Sequence, residues 1–420
     1  PDKLWYNGSG SDCFIKELRK FGPAENTMVR EITAEQYQQV REIRSIWAEF
    51  GYDMPFADFC GIFGIDSPKS YDVIETVTAI GYSTAEKGNS IFIYDGKNEK
   101  YYWLQSTGSS DSGSAYGGTD FPEFIDSIEE NGYNSFYPAT SVLGVTNSAL
   151  IPLDVSSDLG SFSSNQEIYA YQTEKINSIA EQFFGSNFDF VRKITEESGT
   201  LIYMYGYGQN VLIVNTDGSI EYKEESAGEN AGNIFSESLD IAVDYVAAHG
   251  SWESLGGTKM TPYLKNISAD PGKEKGYRFV FGMKINGTPL FYEDGDAITV
   301  DVIDGQVTYY KRHLIDVDQD DLENASSGTN DSVFSPVNLI AQNFKYSYDV
   351  LLEEGKVEAT ADQAVMFEKI ASMVSSMQIG YVKLEDTEMN EIQPVWAVSI
   401  NGTEIYFDLY TADPIGYSKN

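Results

Sequence analysis

Five segments of the chain carry apolar residues at helical spacing, and most of them begin at a capping signal. Thr33-Ala34-Glu35-Gln36 is a capping box, in which the threonine hydroxyl and the glutamine side chain satisfy orphan amide groups. The apolar stripe that follows predicts a helix ending at Gly51; its members are Tyr37, Val40, Ile43, Trp47 and Phe50. Four further helices are predicted over about 164–185, 236–250, from Pro336 onward, and 360–380.

Between these helices the chain reads as antiparallel strands joined by tight turns. β-branched and aromatic runs flank Asn-Gly and Asp-Gly pairs, which favour hairpins because both central residues of a type I′ turn need positive φ. The pairs are Asp95-Gly96, Asp217-Gly218, Asn286-Gly287, Asp304-Gly305 and Asn401-Gly402. We therefore predict an α+β fold in which helices pack on antiparallel sheets.

Two hairpins look alike, and polar joints divide the chain. Segments 284–292 and 399–407 share an Ile-Asn-Gly-Thr core, and a predicted helix precedes each. This indicates repeated helix-plus-hairpin modules, although the same core is also a common hairpin tip. Gly/Ser-rich or polar joints at 106–118, 146–164 and 323–331 predict a multidomain protein. Its parts would be an N-terminal α+β domain (1–150), a middle helix-plus-sheet domain (151–325) and a C-terminal module (326–420).

Charge and hydropathy narrow the class of protein. The chain holds 65 acidic and 28 basic residues, a formal net charge of −37. Such a surface repels phosphate backbones and anionic lipids, which excludes nucleic acid as a partner. Solubility explains the charge most simply, and cation binding or a basic partner are the alternatives. No run of about 18 apolar residues is present to span a bilayer.

The start of the chain and its cysteines indicate export. The chain begins at Pro1 without a methionine, so we expect an N-terminal signal or membrane anchor to have been removed and the protein to be extracytoplasmic. The two cysteines are Cys13 and Cys60. A disulfide between them is one alternative, since the sequence does not fix whether their Cα atoms lie within the roughly 4.4–6.8 Å that a disulfide needs.

Catalytic motifs are missing from the sequence. It has no Gly-x-Ser-x-Gly elbow, Walker loop or His-Glu-x-x-His helix. Gly206-Tyr207-Gly208 lies between two predicted strands and reads as a hairpin tip. His249 is expected to cap a helix end, where the helix dipole favours the protonated ring. His313 follows two basic residues and is expected in an exposed strand-end cluster. We predict a protein that is not an enzyme, with a hydrolase using an unrecognised carboxylate pair as an alternative.

One acidic run gives the best metal candidate. Asp316, Asp318 and Asp320 alternate along the chain, as the oxygen ligands of Ca²⁺ do in calcium loops. Asp321 stands where such a loop needs glycine, and Ser327 where it needs a bidentate glutamate. The run therefore predicts a solvated linker, with a weak Ca²⁺ site as the alternative, and no other cofactor is expected.

One aromatic cluster gives the best binding candidate. Trp103 follows Tyr101 and Tyr102 immediately before the Gly/Ser-rich stretch. An exposed tryptophan with tyrosine neighbours can stack on sugar rings. These three residues support the alternative that the protein is a cell-surface glycan-binding module or lipoprotein.

The C-terminal stretch resembles a known family of modules. In 393–413, a Pro-x-Trp-x-Val strand is followed by the hairpin and by a Tyr-x-Asp-x-x-Thr pattern, in which Asp408 and Thr411 take the matching places. This resembles the end of a PepSY-like module, except that Ala412-Asp413 replaces the usual glycine. Segment 284–310 is similar to the corresponding domain of the YycH and YycI proteins, and the resemblance covers about 165–415.

This resemblance implies a function without implying a catalytic site. YycH and YycI are membrane-anchored extracytoplasmic regulators of a cell-wall two-component system in Firmicutes. By resemblance, the present protein is expected to bind the outer domain of a membrane sensor protein, or of a sister regulator, and to bias the state of a sensor kinase. The membrane would be reached only through the removed anchor. No residue-level site carries over from the family.

Overall fold

The structure is a computed structural model. It describes residues 27–41, 45–65, 71–83, 90–106, 136–147, 149–153, 155–226, 234–254, 260–271, 275–317, 321–322, 332–384 and 391–418. Cys13, Asp318, Asp320 and the stretch 107–118 lie outside these ranges. The disulfide therefore stays a prediction, and Cys60 is buried. Within the described ranges, no helix is long and apolar enough to cross a membrane.

Seven α-helices lie in the described ranges. They are α1 (Ala34–Arg41), α2 (Phe56–Phe63), α3 (Ala139–Leu143), α4 (Thr173–Phe184), α5 (Phe235–Ala248), α6 (Pro336–Glu353) and α7 (Gln363–Met373). Each of the longer helices turns one apolar face toward a sheet. The helices and sheets together confirm the predicted α+β class.

A five-stranded antiparallel sheet forms the N-terminal part. Its strands are β1 (Thr27–Ile32), β2 (Ser45–Pro55), β3 (Thr76–Ser83), β4 (Ser90–Asp95) and β5 (Lys100–Ser106), in the order β1-β5-β4-β3-β2. One face buries Ile80, Ile91 and Ile93 in the same core as Phe56 and Phe59 of α2. The other face carries the aromatic residues described below.

A 15-stranded sheet contains most of the remaining strands. Its path runs β18 (Ile315–Val317), β8 (Phe162–Gln166), β20 (Glu391–Ile400), β19 (Val374–Lys383), β15 (Thr288–Tyr292), β14 (Gly276–Ile285), β16 (Ile298–Ile303), β17 (Gln306–Arg312), β12 (Ile220–Glu224), β11 (Asn210–Val214), β10 (Leu201–Tyr205) and β9 (Arg192–Thr195). Strands β13 (Thr261–Ala269), β21 (Thr403–Asp408) and β22 (Pro414–Tyr417) pair off this path. The pairing of β15 with β19 is parallel and joins the middle and C-terminal strands.

A two-stranded sheet, β6 (Phe136–Pro138) with β7 (Leu150–Pro152), flanks α3. Ala139 and Ile151 share a core with Leu339 of α6 and Ile370 of α7. The chain near position 150 therefore packs with the C-terminal helices, and the division into three domains stays a prediction.

The predicted capping box is confirmed, but the helix after it is shorter than expected. The Thr33 amide donates to Gln36 Oε1 at 3.0 Å, and the Gln36 amide donates to Thr33 Oγ1 at 3.2 Å. Helix α1 ends at Arg41, and Trp47 and Phe50 lie on strand β2. The helical spacing of Trp47 and Phe50 was misleading, because β2 pairs with β3 in the sheet. This tertiary contact outweighs the local sequence pattern.

Two other predicted helix boundaries were wrong, because residues assigned to a helix pair as a strand in the sheet. Ser164 lies on β8, and α4 begins only at Thr173, although it ends before Gly185 as predicted. Helix α7 ends at Met373, so Met377 and Gly380 belong to β19. Helices α5 and α6 agree with the prediction, and Pro336 occupies the first turn of α6.

Three of the five predicted turns have the backbone of a type I′ turn. Asn286-Gly287, Asp304-Gly305 and Asn401-Gly402 each combine an Asn or Asp at φ of 48–50° with a glycine at 76–85°. The Asp95 and Asp217 hairpins form through longer loops, with positive φ at Glu99 and Gly218. All five hairpins are present, and the proposed repetition of modules stays a prediction.

Candidate interaction sites

The predicted aromatic trio is divided between the two faces of strand β5. Tyr102 points into the core, where 3% of it is exposed and its hydroxyl donates to the Val73 carbonyl at 2.8 Å. Tyr101 and Trp103 are half-buried on the opposite face. The alternation of side chains along a strand accounts for this division. Whether any of the three binds a ligand stays a prediction.

Two cross-strand rows cover this outer face of the N-terminal sheet. The rows are Trp47–Gly81–Phe92–Trp103 and Glu49–Ala79–Tyr94–Tyr101. Gly81 makes room for Trp47, since a Cβ at position 81 would lie 2.3 Å from the indole ring. The Tyr94 and Tyr101 rings stack with centroids 4.9 Å apart. Two small residues on β3 thus let large rings lie across the sheet.

Helix α1 covers the end of the second row and forms a groove of about 560 Å³ with it. Tyr37 of α1 contacts the Tyr101 ring at 4.6 Å and the Trp47 ring at 5.1 Å between centroids. Arg41 Nη2 donates to Glu49 Oε1 at 2.7 Å on the groove wall. The groove therefore joins an aromatic floor to one ion pair.

Three polar atoms on this face are buried and have no hydrogen-bond partner: the Tyr37 hydroxyl, Trp103 Nε1 and Ser90 Oγ. Only 5% of Tyr37 is exposed. Burial raises the pKa of the Tyr37 hydroxyl well above its usual range, and the charges of Arg41 and Glu49 act on it in opposite directions. Buried polar atoms in folded proteins almost always have partners, so all three are exceptions that need an explanation.

The predicted exposed cluster at His313 is wrong, because His313 and Arg312 are both buried. Arg312 forms two hydrogen bonds with Glu167, with Nε–Oε2 at 3.0 Å and Nη2–Oε1 at 2.6 Å, and Nη2 also donates to the Glu253 carbonyl at 2.7 Å. Strand β17 is an interior strand of the large sheet, with β16 and β12 on its two sides, so its end is enclosed.

His313 is neutral at neutral pH. Burial, assisted by the Lys383 charge, lowers its pKa to about 3, against the opposing pull of Asp217. Lys383 Nζ donates to His313 Nε2 at 3.0 Å, and the Tyr292 ring lies 5.0 Å away. His313 therefore belongs to a buried polar cluster and presents no basic surface to a partner.

His249 caps helix α5 as predicted, but its ring is not protonated at neutral pH. Its Nδ1 donates to the Tyr245 carbonyl at 2.9 Å. Its ring lies 3.9 Å from the Tyr245 ring and 4.7 Å from the Phe183 ring. Burial lowers the His249 pKa, and the hydrogen bonds with the backbone of Tyr245 and Gln182 only partly oppose this. Burial thus outweighs the helix dipole here.

The metal candidate is only partly described. Asp316 lies on β18 and accepts a hydrogen bond from the Ser254 hydroxyl. Among the residues in the ranges given above, no three His, Cys, Asp or Glu side chains form a group suited to a metal. Because Asp318 and Asp320 fall outside those ranges, the weak Ca²⁺ site stays a prediction.

A second surface, which we call the hairpin tip, is formed by Tyr207 and Phe190. Gly206-Tyr207-Gly208 joins β10 to β11, which confirms the predicted turn. Tyr207 is fully exposed at a left-handed φ of 59°, and Phe190 is 77% exposed. Since Arg192 pairs with Met204, Phe190 and Tyr207 extend from the same end of the β9–β10 pair. The sequence predicted the turn but not the exposure of these two rings.

Comparison with solved structures identifies the fold. The crystal structure of YycH from Bacillus subtilis matches with a TM-score of 0.54 and 14% identity, over 96% of this chain and 91% of that chain. A pyran synthase domain from module nine of the sorangicin pathway has a TM-score of 0.14, at 11% identity over 70% and 98% of the two chains, and carries no argument. No family model and no curated protein matches the sequence. The chain has the fold of YycH, which confirms the resemblance to YycH seen in its sequence; the PepSY-like module stays a prediction.

Proposed function

We propose that this protein is an extracytoplasmic regulatory protein of the YycH type, which modulates a cell-envelope sensor kinase through protein–protein contact and catalyses no reaction. The observation that carries the proposal is the likeness to YycH over nearly the whole of both chains. Its partners are the outer domain of a membrane sensor protein or a sister regulator. An N-terminal anchor holds it at the membrane.

The state of the two histidines supports a role other than catalysis. Histidine is the side chain best suited to proton transfer near neutral pH. His249 is packed against aromatic rings and His313 is enclosed in the polar cluster, and burial lowers the pKa of both. Both side chains therefore serve the packing of the middle part of the chain.

The hairpin tip is the surface we assign to the partner. Exposed aromatic side chains that enter a pocket supply much of the binding energy of protein interfaces. Asp189 and Glu225 are exposed beside the tip, together with one base, Arg192. The whole protein carries a net charge of −37. The partner surface would therefore be an apolar socket rimmed by lysine or arginine.

A regulator of this kind acts only if it distinguishes two states of its partner. Binding shifts the equilibrium between kinase states by as much as the affinities for the two states differ. The proposal therefore requires that the tip bind the outer domain of the kinase more tightly in one signalling state than in the other.

The test is a binding measurement with the purified protein and the outer domain of a cell-envelope sensor kinase from the same cells. We expect saturable binding, and about tenfold weaker binding for Tyr207→Ala, as for loss of about 1.4 kcal/mol. Tyr171→Ala is the matched control, since Tyr171 is also exposed, by 78%, and stacks on Tyr169 away from the tip. Absence of binding to the kinase and to any sister regulator would contradict the proposed function.

A further inference from the structure

A short parallel pairing joins the middle strands of the large sheet to its C-terminal strands. Strand β15 pairs with β19 through three residue pairs, which are Leu290–Tyr381, Phe291–Val382 and Tyr292–Lys383. The Glu293 amide adds one hydrogen bond to the Lys383 carbonyl, at 3.1 Å. We call residues 290–293 and 381–383 the junction. With so few main-chain contacts, its stability depends on the side chains packed at its ends.

His313 lies at one end of the junction and contacts both of its strands. The centroid of its ring is 5.0 Å from that of Tyr292, and its Nε2 accepts a hydrogen bond from Lys383 Nζ at 3.0 Å. Its own amide donates to the Ala297 carbonyl at 2.7 Å, which holds it beside the start of β16. Since Tyr292 and Lys383 are the last residue pair of the junction, His313 bridges that pair.

The contact with Lys383 requires a neutral His313 ring. An ammonium group has only donors, so Nε2 can pair with it only while that nitrogen carries no proton. A second proton on the ring would set two donors and two positive charges against each other. Only 3% of His313 and 8% of Lys383 are exposed, so water screens this repulsion poorly. Protonation of His313 therefore opposes closure of the junction.

The other charged and titratable groups around His313 do not reverse this effect. Asp217, in the turn between β11 and β12, favours the protonated ring, whereas Lys311 of β17 acts against it as Lys383 does. Burial is the largest influence, and the pKa of His313 falls to about 3. Burial raises the pKa of the Tyr292 hydroxyl, which stays neutral. Once the junction opens to water, the His313 pKa returns to about 6.5.

We propose that the junction is a pH-sensitive switch, in which a neutral His313 holds β15 and β19 together and a protonated His313 favours their separation. Two other connections between the same groups of strands stay closed. They are the β8–β20 pairing and the ion pairs of Lys265 with Asp296 and Glu404. The opening is therefore local. The inference depends on the junction alone and stands apart from the proposed contact with a sensor kinase.

The experiment is hydrogen–deuterium exchange of the full chain at pH 7.5 and 5.5, corrected for the intrinsic pH dependence of amide exchange. We expect the opening equilibrium of the junction amides to rise about tenfold at pH 5.5, since the open state gains a proton that the closed state does not take up. Amides of the interior strand β16 should exchange more slowly than those of the junction at both pH values. No rise at the junction, or exchange there as slow as in β16, overturns the inference.

Two histidine variants separate the switch from other effects of pH. His313→Gln has no proton to gain, so its ratio of junction opening between the two pH values should fall from about tenfold to about one. His249→Gln is the matched control, because His249 is also buried with a lowered pKa but packs against Tyr245 and Phe183. It should keep the tenfold ratio. An unchanged ratio in His313→Gln, or its loss in His249→Gln, would assign the effect to other groups and overturn the inference.

A pH titration of the wild-type protein provides a test that does not depend on the folding of any variant. Opening of the junction should be constant above about pH 7.5 and rise about tenfold per pH unit below about pH 5.5, as for uptake of one proton by a group with a pKa of about 6.5. A constant value down to pH 5, or a rise that begins only below it, would show that His313 does not control the junction.

Discussion

Two buried polar regions of this protein differ in whether they contain a buried ion pair. At the end of β17, Arg312 and Glu167 are each almost fully buried, yet they bond to one another and Arg312 also bonds to nearby carbonyls. On the outer face of the N-terminal sheet, Tyr37 and Trp103 bury polar atoms that have no partner. The first region also holds two unpaired atoms, His313 Nδ1 and the Tyr292 hydroxyl, so what distinguishes it is the buried ion pair between Arg312 and Glu167.

The same contrast holds for the charges in the two regions. The β17 region buries Lys383, Arg312 and Glu167 together with the neutral His313, and the half-buried Asp217 acts on His313. The N-terminal face has one partly exposed ion pair, Arg41 with Glu49. Removing one partner of a buried ion pair should therefore cost far more stability than removing one partner of an exposed pair.

The largest expected effect is loss of the buried ion pair. Glu167→Ala leaves the Arg312 guanidinium buried without its carboxylate, and this should lower the free energy of unfolding by about 3–5 kcal/mol. Urea unfolding followed by circular dichroism measures the change. Lys97→Gln breaks an exposed pair with Glu75 and should leave the urea midpoint almost unchanged. Equal midpoints for the two variants would contradict the contrast between the regions.

The second effect is a pH dependence that arises from His313. Its pKa is about 3 in the folded protein and about 6.5 when unfolded, so the unfolded state takes up a proton first as the pH falls. The contribution of the neutral ring is complete above pH 6.5 and is lost as the pH falls toward 3. Between pH 6.5 and 5, protonation of His313 in the unfolded state should lower the free energy of unfolding by about 1–2 kcal/mol.

The control for this pH dependence is His313→Gln. The variant has no proton to gain at position 313, so its loss of stability between pH 6.5 and 5 should be smaller than that of the wild-type protein. A residual slope in the same direction is expected from His249, whose pKa is also lowered by burial. Identical slopes for wild type and variant in urea titrations at each pH would show that His313 titrates normally.

The smallest effects compare two tyrosines of the N-terminal part. Tyr37→Phe removes an unpaired hydroxyl and should raise the free energy of unfolding by about 1 kcal/mol. Tyr102→Phe removes a hydroxyl bonded to the Val73 carbonyl and should lower it by about 1 kcal/mol. Thermal unfolding of both variants gives the two signs, and the same sign for both would remove the distinction between paired and orphan hydroxyls.

Local sequence determined the features that depend on a few neighbouring residues. The Thr33 capping box, the start of α6 at Pro336 and the three type I′ turns all formed as predicted, because caps and positive φ are set by the residues at those positions. The Asn-Gly turns and the aromatic strands beside them also indicated the YycH resemblance, which the fold confirms. Because side chains alternate between the two faces of a strand, the sequence of β5 could have predicted that Tyr102 faces away from Tyr101 and Trp103.

Only the tertiary structure decided which strands meet and what they enclose. Trp47 has helical spacing, yet it lies on β2, because Gly81 on the neighbouring strand leaves room for its ring. His313 follows two basic residues, yet it is buried, because β17 is an interior strand whose end is enclosed. The groove beside Tyr37 joins residues from α1 and four strands. Such sites depend on contacts between distant segments, which the periodicity of any one segment does not encode.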